Sequence, residues 1–154
     1  MLAKKLLSVA LLAAASFVWM PRFAMAQAGQ AASSQDVQEN QKVAQAALQV
    51  ALLVDHEKVG EVWDGASSIT KQLVTRDAFV RQITADRQTV GALVSRSVAS
   101  VTYRQSDGKQ LPPGVYANVA FATRFAHSQQ TVRELVSFHL DGDRVWRVSG
   151  YTLR

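Results

Sequence analysis

Glu134 is the residue of this 154-residue chain whose setting most invites chemistry. It alternates with Val132, Val136 and Phe138, so a strand through it places one carboxyl group on an otherwise apolar face. Desolvation there would raise the carboxyl pKa, which is what a general base needs near neutral pH. Tyr116 or Tyr151 could supply the matching hydrogen-bond donor to a reacting oxygen. The structural alternative pairs Glu134 with an arginine of a neighbouring strand, Arg124 or Arg147, because ion pairs perturb carboxyl groups without catalysis.

The other polar candidates fit binding better than bond-breaking. Trp63, Tyr116, Trp146 and Tyr151 are amphipathic aromatics able to line a pocket for a small apolar or aromatic ligand, or to anchor a protein partner. Trp63 sits at helical spacing with Val59 and Val62, so packing into the core is its alternative. Arg96 could bind an anion, or pair with Asp64 or another helix carboxylate. The ligand-binding set expected from sequence is therefore Trp63, Arg96, Tyr116, Arg124 and Glu134.

Several chemistries have no footing. The chain has no cysteine, which excludes disulfides, thiolate metal sites and cysteine nucleophiles. His56, His127 and His139 are scattered, with no HxH or HExxH pairing, and His139 falls on the strand face opposite Glu134. No G-x-S-x-G elbow, G-x-G-x-x-G or P-loop pattern occurs, so neither a nucleophile-elbow hydrolase nor a nucleotide cofactor is indicated. No metal and no cofactor are expected.

The formal charge of +5 hints at nucleic acid, but the N-terminus removes most of that hint. Lys4 and Lys5 precede an apolar run from Leu6 to Trp19, followed by Ala24-Met25-Ala26, the three parts of a secretory signal peptide. As a helix the run would span about 21 Å, short of the roughly 30 Å of a bilayer core. Cleavage after Ala26 would take Lys4, Lys5 and Arg22 with it. That leaves 14 basic and 12 acidic residues, a formal charge of +2. A periplasmic or secreted protein with dispersed charge, no nucleic-acid partner and no membrane anchor after cleavage is the expectation.

The elements that must position these residues follow from periodicity. Residues 27–35 are small and polar and read as a disordered lead-in. Asp36 and Glu39 make a capping box, opening a helix whose face is Val43, Ala47, Val50, Ala51 and Val54. A short helix over 57–64 follows; Ile69–Leu73 is ambiguous. Thr75 caps a third helix that Gly91 stops. The period then changes to two, predicting strands over 93–104, 115–126, 131–140 and 145–153. Helices followed by an antiparallel meander make a single α+β domain over 36–154, with the helices on one face of a four-stranded sheet.

This order is similar to the cone-shaped nuclear-transport-factor-2-like superfamily, and more closely to a family of secreted bacterial domains, domain of unknown function 4019. The resembling stretch runs from about Val43 to Arg154. It rests on Val62-Trp63-Asp64, Phe79, Gly91-Ala92-Leu93-Val94-Ser95-Arg96, Leu111-Pro112-Pro113-Gly114-Val115-Tyr116, Phe125, Glu134 and the ending Trp146-Arg147-Val148-Ser149-Gly150-Tyr151. The resemblance implies an exported domain with a curved sheet, and it supplies no reaction. The wider superfamily contains isomerases, dehydratases and many binding modules. The leading expectation is a non-catalytic exported binding domain, its ligand in the cone or its partner across the sheet. An isomerase-like or dehydratase-like enzyme using Glu134, and a periplasmic interaction partner, are the alternatives; a homodimer stays open.

Overall fold

Val43, Ala47, Val50, Ala51 and Val54 recur every three or four residues and form the buried stripe of helix α1, Phe23–Asp55. In this computed structural model the backbone is described from residue 23, and side chains from residue 34, through Arg154. The basic and apolar parts of the expected signal peptide, up to residue 22, lie outside the described residues. Two readings of this region change. The helix runs through 27–35, expected to be disordered, and Asp36 does not open it. That stretch is rich in Ala and Gln, which favour helix without needing an apolar stripe. Once a helix exists, each further residue adds a hydrogen bond without a new nucleus. Glu39 is thereby freed from capping and accepts a 2.8 Å hydrogen bond from Trp146 Nε1.

Helix α2 spans Val59–Asp64, α3 Ser68–Leu73 and α4 Arg76–Val90. Thr75 caps α4 as expected, its side chain accepting from the Ala78 amide at 3.3 Å. Gly91, with φ of 78°, ends α4 in a conformation that a side chain would resist. Four strands complete the chain: β1 (Leu93–Ser106), β2 (Gly114–Phe125), β3 (Val132–Leu140) and β4 (Trp146–Leu153). All neighbours are antiparallel, in the order β1-β2-β3-β4.

Register assigns the two faces. Ala117, Val119 and Phe121 stand beside Phe138, Val136 and Glu134, which in turn neighbour Val148, Tyr151 and Leu153. This inner face packs against Val43 to Val54 of α1, Val59 and Val62 of α2, and Phe79 and Ile83 of α4. Tyr116, Asn118, Ser137 and His139 occupy the outer face. One helix departs from the expected one-sided arrangement. Ala66 bridges to Val148, and the Ser67 amide donates to the Val148 carbonyl at 2.9 Å, so the chain passes the outer edge of β4 there. Helix α3 then borders the outer face. The long strand β1 forms the opposite edge of the sheet and, among the described residues, pairs only with β2.

Candidate functional site

Glu134 lies on β3 at 0% exposure, and each of its carboxylate oxygens has two donors. Arg96 reaches it from β1 across the intervening strand, Nε to Oε2 at 2.6 Å and Nη2 to Oε1 at 3.0 Å. Tyr151 donates to Oε1 and Thr123 to Oε2, both at 2.7 Å. A carboxylate offers about four acceptor positions, so Glu134 is saturated. The other edge of the Arg96 guanidinium forks onto Asp55, at 2.8 and 3.1 Å. Arg87 closes the chain with a 3.1 Å contact to Asp55 and a hydrogen bond to the Gly91 carbonyl, while its guanidinium lies 4.4 Å from the centre of the Phe125 ring.

Two arginines and two carboxylates thus form one neutral buried network. Burial alone would raise the Asp55 pKa, but hydrogen bonds and charge from Arg96 and Arg87 outweigh it and hold the group below its ordinary 3.8. Burial likewise opposes the charge of Arg96, yet Asp55 and Glu134 overturn that effect and raise its proton affinity. The Tyr151 hydroxyl is pushed upward by burial first and by the Glu134 charge second, so it stays a donor.

The sequence-expected residues divide accordingly. Arg96, Glu134 and Tyr151 meet. Tyr116 does not join them, because it projects from the opposite face of β2. Arg124, on that outer face and exposed, is not a partner of Glu134 either; nor is Arg147, which binds Asp141 and Asp143. The arginine that does pair lies two strands away, where inward alternation of β1 brings it over Thr123. Arg96 meets a helix carboxylate as anticipated, but that carboxylate is Asp55, since Asp64 is held by Arg76. Trp63 is partly buried against the core, with the Lys71 ammonium 5.1 Å from its ring centre.

A second polar cluster, not anticipated, lies on the outer face. His139 Nδ1 is 2.8 Å from Asp141 Oδ1, and Ser67 Oγ donates to the same oxygen at 2.5 Å. Serine, histidine and aspartate together suggest a catalytic triad, but the wiring is wrong. A triad places serine on Nε2, opposite the aspartate. Here Ser67 gives its proton to Asp141 and lies 3.5 Å from Nδ1, while Nε2 is buried with no partner among the described residues. Burial would raise the Asp141 pKa, but Ser67, His139 and Arg147 together lower it. The cluster works as a bracket. Ser67 also caps α3, its oxygen accepting from the Ile69 amide at 3.3 Å. His139 packs edge-on against Tyr116, whose hydroxyl donates to the Pro112 carbonyl at 2.9 Å. Gly114, with φ of 145°, lies so close that a Cβ there would overlap the His139 ring.

Between these tied walls opens a cleft of about 270 Å³. One wall is α3 with Leu73 and Val74; the other is the β1–β2 connection with Leu111 and Pro112. Asn118, Ser137 and Ser149 line it as well, together with Tyr116. A smaller depression of about 230 Å³ between the C-terminal ends of α1 and α4 touches Asp55 and Arg87, whose polar groups are already paired. Among the described residues no group of three or more His, Cys, Asp or Glu could hold a metal ion, and no helix is long and apolar enough to cross a membrane.

The residues missed from sequence are Asp55, Arg87 and Thr123 of the network and Ser67 and Asp141 of the bracket. The nearest signal was the apolar alternation around Glu134, which marks a buried carboxylate in need of partners. Comparison with known proteins found no match among curated proteins and none among solved structures. A family match does cover residues 46–151, all of both clusters and the sheet as far as Tyr151, and by it the chain belongs to the family described as a protein of unknown function, DUF4019.

Proposed function

We propose that this is an exported, non-catalytic binding domain whose seat is the outer-face cleft, not the interior between sheet and helices. The observation that carries the reading is the pair of exposed leucines flanking that cleft, Leu73 at 70% and Leu111 at 45%. Large apolar side chains left in water at the two lips of one concavity mark a surface that gains by being covered. The interior offers no comparable place. Phe121, Val136, Phe138 and Tyr151 fill the inner face, and Glu134 has no acceptor position left to take a substrate proton. Export rests on the basic, apolar and Ala-x-Ala parts of the N-terminus.

A protein-observed NMR screen of small apolar and aromatic compounds tests the seat. Bound compounds should shift Tyr116, Leu73 and Leu111, and the exposed double substitution Leu73→Gln with Leu111→Gln should remove those shifts without changing the melting temperature. Shifts centred on Glu134 and Tyr151, or none at any site, would refute the proposal.

A further inference from the structure

The lining of the cleft also specifies a chemical class of ligand. Arg104 is the only charged side chain at the cleft, it is exposed, and among the described residues it has no carboxylate partner. Four other arginines are engaged: Arg76 with Asp64, Arg87 and Arg96 with Asp55, Arg147 with Asp143. No acidic residue lines the cleft, so a cationic ligand would meet an uncompensated like charge. Leu111 and Pro112 on one side, and Ile69, Leu73 and Val74 on the other, give the cleft apolar surface, while Thr70, Asn118, Ser137 and Ser149 line it with uncharged polar groups.

Resting on the reading that this cleft is the binding seat, we propose that it takes a small anionic amphiphile: a carboxylate on a short apolar body. The head group pairs with Arg104, and the body lies between Leu73 and Leu111. The volume limits the body. At about 270 Å³ the cleft falls just under the ~300 Å³ where pockets for drug-sized ligands begin. A polar lining is available too. Ser137 Oγ donates to Asn118 Oδ1 at 2.7 Å, which leaves the Asn118 amide able to donate to a ligand oxygen. The walls are set before any ligand arrives, since Ser67, Asp141 and His139 tie α3 to the strands that bear Tyr116 and, through its hydroxyl, Pro112. Such preorganisation lowers the ordering cost of binding.

Three probes with the same tail separate head group from seat: octanoate, octan-1-ol and octylamine, titrated at neutral pH with NMR shifts as the readout. Octanoate should shift Tyr116, Leu73 and Leu111 and bind about fivefold tighter than the alcohol, the size an exposed ion pair supports. Octylamine should bind weakest. Arg104→Gln should erase the preference for octanoate, and Arg104→Lys should keep part of it. Leu73→Gln should weaken all three alike. If the alcohol or the amine matches octanoate at the cleft, the anionic class is wrong while the seat stands. If the shifts fall elsewhere, or octanoate produces none, both are wrong.

Discussion

The two polar clusters use similar side chains to opposite ends. On the inner face, Arg87, Asp55, Arg96 and Glu134 satisfy one another until no acceptor of Glu134 remains. On the outer face, Ser67, Asp141 and His139 leave one ring nitrogen without a partner among the described residues and stand beside an open cleft. The first joins α1 and α4 to β1, β3 and β4 and behaves as a lock. The second holds two connecting segments apart at a fixed distance. A buried carboxylate or a serine–histidine–aspartate grouping is thus no guide to catalysis until each proton and lone pair has been assigned.

The largest test of this contrast is Arg96→Met. It leaves two carboxylates buried without their shared cation, and removing one partner of a buried pair costs about 3–5 kcal/mol. Thermal unfolding should show that loss, and adding Glu134→Leu should restore part of it. A melting temperature unchanged by Arg96→Met would mean that the inner network is not a lock. Gly114→Ala comes next. Overlap with His139 and the unfavourable φ should cost about 1–3 kcal/mol, and the Tyr116 and Pro112 resonances should move. Gly142→Ala, with nothing within 4 Å of the new Cβ, should leave both unchanged. Equal effects at the two glycines would remove the bracket.

Acid should separate the clusters most gently. Asp55 and Asp141 both have folded pKa values below the ordinary 3.8. Their contribution to stability is therefore complete above that value and is lost as pH falls through it toward the folded pKa values. The melting temperature should hold from about pH 5 to near 4 and then fall. Asp141→Asn should remove the outer share of this fall and leave the inner share. A profile that is flat across the acid range in the unsubstituted protein would contradict both assignments.

Much of the scaffold was legible because its signals are local. The strict alternation from Val115 to Phe125 gave the inner and outer faces of β2, and Thr75 and Gly91 bounded α4. The alternation around Glu134 identified a buried carboxylate. Its partner was not readable, because Arg96 is 38 positions earlier and reaches across β2, a relation set by the register of three strands. Asp55 falls between the two helices expected from periodicity, outside either apolar face; it is the last residue of α1, where it can face both arginines. The cleft was hidden for a different reason. Of its walls, Ile69–Leu73 is ambiguous in sequence and the Leu111–Pro112 segment falls between two strands, and they oppose each other where the chain rounds β4 at Ala66 and Ser67. No short-range pattern encodes that passage.

The passage at Ala66 also makes the two rims of the sheet unequal. A four-stranded sheet has two rims where another strand could dock through its backbone. One rim, along β4, already holds Ala66 and Ser67 at Val148, and the Thr70 hydroxyl reaches the same carbonyl at 3.4 Å. The β1 rim, by contrast, pairs only with β2 among the described residues, so a strand docking there would meet no such obstruction.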